Sequence, residues 1–190
     1  MARKDRSQKQ RLTEVPLERL RTFGDPTLKQ PTNVVTMFDS RLEKLAAVMI
    51  AVMHREEGVG LAAPQIGVLS RMMVWRDPEE EDQEYVFVNP EIVFRSEECT
   101  TDSEGCLSVP GCTVEVSRND EVVVTAQDLE GNPLTLEASG IVARIVQHEV
   151  DHLDGCLILD RATPEERRRV LKELRERTLG LGGSPEEMDK

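Results

Sequence analysis

The segment QHEVDHLDG at residues 147–155 constrains this chain more than any other, because it contains an HExxH pattern. His148 and His152 are four residues apart, so on an α-helix their imidazoles lie on one face, one turn apart. Two imidazole nitrogens at this spacing can bind one metal ion. Glu149 follows the first histidine, and its carboxylate can reach a water on the metal without binding the metal itself. We therefore predict a metal-dependent hydrolytic site on a helix over about 138–153.

An apolar stripe on the same helix indicates which way the histidines face. Ile141, Ile145, His148 and His152 fall at positions i, i+4, i+7 and i+11, so they share one face. The histidines therefore point into the protein, where they need a partner, and a metal is the partner that their spacing suits. The two isoleucines either belong to the core or line a pocket beside the metal, and the sequence leaves both possibilities open.

A catalytic metal needs a third protein ligand and an open coordination position. HExxH enzymes usually supply this ligand downstream as His or Glu. Here no histidine follows His152, and Asp154 and Asp160 are the nearest downstream acids. Upstream, Cys106 in the segment EGCLS offers a thiolate, which would give a Cys–His–His set. Spacing alone does not decide between Cys106 and the downstream acids.

The remaining pattern favours one α+β domain, with strands in the middle of the chain and helices towards both ends. A first helix is predicted over 39–56 and a C-terminal helix over 164–178, each with a capping residue before its first turn. Residues 58–67 and 98–112 are predicted as glycine-rich or polar loops. Short strands are predicted at residues 72–75, 85–88, 91–95, 113–116, 121–125 and 134–136.

Composition supports a single globular domain and excludes several function classes. The chain has 190 residues, 38% hydrophobic and 32% charged, and no apolar run reaches the roughly 20 residues of a membrane-spanning helix. Its net charge of −12 and its 3% aromatic residues argue against non-specific binding of nucleic acids. We expect a basic N-terminal extension over 1–14, a single catalytic domain over 15–178 and a flexible tail over 179–190. No secretory signal is visible, so a reducing cytoplasm is the expected location.

Three segments of the chain, in this order, resemble the motifs of the peptide deformylase family. They are GVGLAAPQ at residues 58–65, EGCLS at 104–108 and HEVDHLDG at 148–155. The segment TFGDPTL at 22–28 is similar to the family's N-terminal lead-in, and the resemblance covers about residues 15–175. It implies the α+β deformylase fold, with antiparallel or mixed sheets around a central HExxH helix. It also implies removal of the N-formyl group from the N-terminal methionine of newly synthesised proteins, which releases formate.

The resemblance assigns catalytic roles to the matching positions. Water on the metal would attack the formyl carbon, with Glu149 as general base and then as general acid. Gln65 and the backbone N–H of Leu107 would stabilise the oxyanion that forms. Three side chains would bind the metal: Cys106, His148 and His152.

Substrate binding is implied less completely than catalysis. Thr113 stands where some members of the family carry an arginine that helps to hold the substrate chain. The backbone and pocket contacts to the substrate would come from Val59, Gly60, Gly105, Ile141 and Ile145.

Elsewhere in the loops, Glu57 and Arg118 either form an ion pair or stay solvated.

The resemblance also implies a cofactor and a partner. A thiolate with two imidazoles suits zinc, iron(II), cobalt or nickel. The family implies iron(II) in cells, with zinc, nickel or cobalt in preparations. The partner would be the nascent formyl-methionyl polypeptide, and neither a membrane nor a specific nucleic-acid sequence is expected as a partner. The basic helix over 164–178 either forms surface ion pairs or contacts ribosomal RNA.

Two other functions stay open at this point. A zinc endopeptidase built on the same HExxH pattern would need a downstream third ligand and would accept unformylated peptides. A catalytically silent relative would act only as a binding protein, although the presence of Gln65, Cys106 and Glu149 argues against it.

Overall fold

The computed structural model describes residues 19–80 and 83–179. The N-terminal extension expected over 1–14 lies outside these residues, and so does the tail expected over 179–190 except for its first residue. Among the described residues, no helix combines the length and the apolar character that crossing a bilayer requires.

The α-helices lie close to where the periodicity predicts them. The first, α1, begins after Asp39, whose side chain accepts a hydrogen bond from the Arg41 N–H. The last begins after Thr163, whose hydroxyl accepts from the Glu166 N–H. One helix that the sequence analysis does not predict, α3, has only four residues, too few for a periodic signal. The bounds are Ser40–Arg55 for α1, Gly140–Leu153 for α2, Ile158–Arg161 for α3 and Pro164–Thr178 for α4.

In the part of the chain that the structure describes, seven strands form two antiparallel sheets. Five of them pair in the order β1-β2-β3-β6-β7, and the other two form the separate hairpin β4-β5. The bounds are Gly60–Ala62 for β1, Met72–Arg76 for β2, Glu84–Arg95 for β3, Cys99–Gly105 for β4, Thr113–Asn119 for β5, Glu121–Gln127 for β6 and Pro133–Ser139 for β7. The chain thus has the predicted α+β class with antiparallel sheets.

Two segments predicted as loops contain strands. Residues 98–112 include β4, which is exposed at every position except Glu104. Since both faces of this strand are polar, it lacks the apolar alternation by which a strand is recognised in a sequence. Residues 58–67 include the fully buried β1 and a short 3-10 helix, Ala63–Ile66. Both segments owe their structure to tertiary pairing rather than to local pattern.

The five-stranded sheet is packed between α1 and α2. Alternate residues of β2 face opposite sides, so that Met73 and Trp75 pack towards α2 while Met72 and Val74 pack towards α1. A third apolar cluster joins the β4-β5 hairpin to α3 and α4 through Val114, Val116, Ile158, Leu159 and Val170. Helix α2 packs on the sheet through Ala143 and Val146 and is hydrogen-bonded to the hairpin through Arg144 and His148. It therefore lies between the sheet and the hairpin and carries the HExxH residues there.

Candidate active site

Three potential metal ligands converge where the hairpin meets α2. Cys106 follows the last residue of β4, and the two histidines lie one turn apart on α2. The donor atoms of Cys106, His148 and His152 all lie within 4.8 Å of one another, and Cys106 Sγ is 3.2 Å from His152 Nε2. In residues 19–80 and 83–179, no other group of three His, Cys, Asp or Glu side chains comes this close.

The downstream acids considered as a third ligand have other partners. Asp154 accepts a hydrogen bond from Arg71 Nη1 at 2.7 Å. Asp160 forms an ion pair with Lys29 and accepts from the Leu157 N–H at 2.8 Å. The geometry therefore favours Cys106 over the downstream acids as the third ligand, and neither Asp154 nor Asp160 belongs to the cluster in the described residues.

Glu104 fixes the orientation of one histidine. Its Oε2 lies 2.9 Å from His148 Nδ1, which leaves Nε2 of that ring available to a metal. Arg118 donates to both oxygens of Glu104, at 2.9 and 3.0 Å. Burial acts to raise the pKa of Glu104, but the hydrogen bonds from His148 and Arg118 lower it to about 2. Glu104 therefore stays a carboxylate and can hold the histidine as a hydrogen-bond donor.

Glu149 lies in a buried, sterically confined position beside the potential metal ligands. Its side chain is buried, and its Oε2 has no hydrogen-bond partner in the protein. Burial raises the pKa of Glu149 to about 7, because desolvation disfavours the charged form. A β-carbon at Gly60 would collide with the Glu149 carboxylate, so any larger residue there would have to displace it. The carboxyl is therefore confined, and one of its oxygens is left for a bound water or substrate.

Gln65 is held with its amide N–H directed at the ligand group. Its Oε1 accepts a hydrogen bond from the Ala62 N–H at 2.7 Å. Its Nε2 lies 3.3 Å from Ser108 Oγ and 4.0 Å from Cys106 Sγ. Leu107 follows Cys106 in the chain and lines the same cavity. Gln65 thus places a hydrogen-bond donor next to the thiol of the ligand group.

A cavity of about 890 Å³ opens onto this group. Ile145 is nearly buried and also belongs to the core beneath the sheet, whereas Ile141 is 46% exposed. A β-carbon at Gly105 would meet no atom within 4 Å, so there is free space in the cavity next to this residue. All five residues expected to contact the substrate line this cavity: Val59, Gly60, Gly105, Ile141 and Ile145.

Comparison with known proteins identifies the family. The family model described as Polypeptide deformylase matches residues 17–168. The chain belongs to the polypeptide deformylase family. A peptide deformylase of Dictyoglomus thermophilum is 48% identical over 149 residues, which cover 78% of this chain and 95% of the relative. Peptide deformylase 2 of Gloeobacter violaceus is 45% identical over 155 residues, covering 80% and 82%.

Solved structures agree with this assignment. The crystal structure of the peptide deformylase from Thermotoga maritima superposes with a TM-score of 0.75 at 40% identity, over 78% of this chain and 99% of that chain. That from Legionella pneumophila gives 0.82 at 35% identity, over 90% and 100%. The deformylase family removes the N-formyl group from nascent peptides and is metal-dependent.

The donor set of this deformylase fits a divalent metal. One thiol and two imidazoles within 4.8 Å are the donors that zinc and divalent first-row transition metals accept. The hydrogen bond from His148 Nδ1 to Glu104 is the arrangement usual for a metal-binding histidine. These residues therefore suit the metal on which the family depends.

An ion network behind the three potential metal ligands was not predicted from the sequence. Arg118 does not pair with Glu57; it binds Glu104 and donates to Asp151 Oδ2 at 2.5 Å. Asp151 also pairs with Arg161. The signal was present, because Arg118 continues the inward alternation of Val114 and Val116 on β5. A charged residue at an inward strand position needs a buried partner of opposite charge.

Proposed function

We propose that this chain removes the formyl group from the N-terminal methionine of newly synthesised proteins and that Glu149 is its general base and acid. The observation that carries the proposal is the convergence of Cys106 with the two HExxH histidines, beside a buried carboxyl that has an unpartnered oxygen. This arrangement provides three ligands with a proton acceptor next to them, which is what hydrolysis of an amide requires.

Cys106, His148 and His152 would hold the metal. A divalent ion bound there would lower the pKa of its water to about 7 and would polarise the formyl carbonyl. Iron(II) is the ion that we propose in cells, with zinc, nickel or cobalt in preparations. A reducing cytoplasm is the proposed location, because Cys106 must remain a thiol or thiolate to serve as a ligand.

Glu149 would move the proton. It takes a proton from the attacking water and returns it to the amine nitrogen as the carbon–nitrogen bond breaks, so that the products are formate and a free N-terminus. Because burial raises the pKa of Glu149 to about 7, the group can both accept and release a proton near neutral pH.

Gln65 and the Leu107 N–H would stabilise the negative charge on the carbonyl oxygen. The bond between Gln65 Oε1 and the Ala62 N–H fixes the amide before the substrate arrives. Donors that are oriented in advance need no rearrangement during the reaction, and one such donor is typically worth about 3 kcal/mol in the transition state.

The cavity would hold the N-terminal end of the substrate. Ile145 and Ile141 offer an apolar wall for the methionine side chain, while Val59, Gly60 and Gly105 lie where an extended peptide backbone would pass. The cavity volume of about 890 Å³ exceeds what one residue fills and leaves room for the residues that follow methionine.

One assay tests the proposal. Formate release from a formyl-methionyl peptide is measured with and without a strong chelator, and for Glu149→Ala. We expect the chelator to abolish turnover, and Glu149→Ala to retain its metal while turnover falls by several orders of magnitude. Cleavage of unformylated peptides would indicate an endopeptidase instead, and normal turnover of Glu149→Ala would refute the role given to this residue.

Contact with the ribosome is a separate proposal that rests on α4. Several of its basic side chains bind within the protein: Arg169 donates to Thr113 O at 3.0 Å, and Arg177 to Pro110 O at 2.8 Å. Arg168 and Arg175 are exposed instead. We expect Arg168→Glu with Arg175→Glu to weaken co-sedimentation with ribosomes while formate release persists, and unchanged co-sedimentation would contradict the proposal.

A further inference from the structure

We propose that Arg144 selects the N-terminal side chain of the substrate, by closing the pocket beside the metal ligands with its aliphatic stem and its fixed positive charge. The inference rests on the proposed function, because it takes the cavity next to His148 as the place where the first substrate residue binds.

Arg144 interrupts the apolar stripe on which the methionine pocket was predicted. Ile141, Arg144, Ile145 and His148 occupy positions i, i+3, i+4 and i+7 of α2, so they share one face of the helix. All four line the same cavity. The arginine therefore contributes to the pocket wall between the two isoleucines and the metal-binding histidine.

The guanidinium of Arg144 is anchored on the hairpin that faces α2. Nη1 donates to Glu104 Oε1 at 2.7 Å and to Val116 O at 3.0 Å, and Nη2 donates to Thr100 O at 2.8 Å. The side chain is only 13% exposed. Since β4 also supplies Glu104 to the cavity wall, the stem of Arg144 crosses from one wall to the other and cannot swing aside without breaking these bonds.

A fixed stem and a fixed charge select in different ways. The stem limits the size of the side chain that can enter, so a flexible unbranched chain is favoured over an aromatic ring. The charge disfavours a cationic side chain, because three arginines of this network, Arg118, Arg144 and Arg161, share two carboxylates. Those carboxylates are Glu104 and Asp151. A neutral, unbranched residue such as methionine satisfies both conditions.

Two substitutions separate size from charge. Arg144→Ala removes the stem and the charge, whereas Arg144→Met keeps a stem of similar width and removes the charge. The matched control is Arg71→Ala, because Arg71 is also largely buried and hydrogen-bonded, to Asp154 and to Pro90 O, but does not line the cavity. Circular dichroism, thermal unfolding and metal content establish that each variant is folded and loaded.

The experiment measures kcat and KM for formate release from peptides that begin with formyl-Met, formyl-Phe or formyl-Lys. We expect Arg144→Ala to raise the formyl-Phe to formyl-Met ratio of kcat/KM by about tenfold, mainly through KM. Arg144→Met keeps a stem but loses the bonds that anchor it, so we expect it to raise that ratio by less than Arg144→Ala does. It should raise the formyl-Lys to formyl-Met ratio by about tenfold. Arg71→Ala should change neither ratio.

The outcomes distinguish this inference from the proposed function. If the unsubstituted protein releases no formate from any of the peptides, both fall. If it deformylates formyl-Met but Arg144→Ala leaves the formyl-Phe ratio unchanged, the selection by Arg144 is wrong and the proposed function stands. If Arg144→Ala does not fold, Arg144→Gln, which is shorter and neutral, takes its place, and unchanged ratios in that variant overturn the inference equally.

Discussion

Gly60→Ala gives a direct test of how closely the catalytic carboxyl is confined. A β-carbon at this position would lie 2.8 Å from Cδ and 2.9 Å from Cγ of Glu149, whereas ordinary contacts begin at 3.4 Å. The backbone of Gly60 cannot withdraw easily, because it pairs with Trp75 on β2, and the neighbouring Val59 O accepts from the Arg76 N–H at 2.9 Å. Because Oε1 of Glu149 would lie closer still, the strain must displace the carboxyl end of this side chain by about 1 Å.

Such a displacement has a calculable effect on the reaction. A misplacement of about 1 Å can cost about 100-fold in rate, so the displaced carboxyl should lower kcat by about 100-fold. Overpacking of a buried site also destabilises a protein by about 1–3 kcal/mol. We expect Gly60→Ala to lose about 100-fold in kcat and a few degrees in Tm, with its metal content unchanged because the three ligands do not move.

The contrasting variant is Gly105→Ala. Its new methyl group would meet no atom within 4 Å, so it projects into free space and does not displace Glu149. We expect its effect to fall on KM rather than on kcat. Both constants are measured by formate release from a formyl-methionyl peptide, with thermal unfolding in parallel. An unchanged kcat in folded Gly60→Ala would refute the reasoning about confinement.

Two further predictions concern the groups around the site. Glu104→Gln should weaken metal binding by about 10- to 100-fold, because His148 loses the carboxylate that orients it; competition with a chelator measures this, and unchanged affinity would contradict it. Asp160→Asn should destabilise the protein by about 1 kcal/mol at pH 7. Burial acts to raise the pKa of Asp160, but the hydrogen bonds from Lys29 and Leu157 lower it from its ordinary value of 3.8. The stabilisation is therefore present above pH 3.8 and is lost as the pH falls through the lowered pKa. Denaturation by urea at pH 7 and at pH 2.5 should show the difference between the two proteins shrinking, and a constant difference would refute the assignment.

The helices could be predicted because their signals are local. The apolar periodicity of α1, its cap at Asp39 and the Thr163–Pro164 start of α4 are contained within a few turns of chain. Strand β4 could not be predicted in this way, because only Glu104 on it is buried. Its structure depends on pairing with β5, which lies further along the chain and has its own alternating pattern.

The residues of the candidate site likewise divide into those with a local sequence signal and those without one. The two histidines and Glu149 could be predicted because HExxH encodes their geometry within one helix. Cys106 could not be assigned from spacing, because its separation from His148 along the chain says nothing about distance in space. Family resemblance suggested Cys106 as a metal ligand, and in the structure Cys106 Sγ lies 3.2 Å from His152 Nε2.

The docking of the hairpin against α2 determines the whole arrangement, and buried charges hold that docking in register. The hairpin carries Glu104 and Arg118, and α2 carries Asp151 and His148, with hydrogen bonds joining the two elements at both points. A buried ion pair contributes little net stability, because the desolvation penalty is about as large as the electrostatic attraction. A mispaired register would leave the Arg118 charge buried without a partner, which costs about 3–5 kcal/mol. We interpret the network as a device that excludes other registers, and so positions the thiol at the end of β4 against the imidazoles of α2.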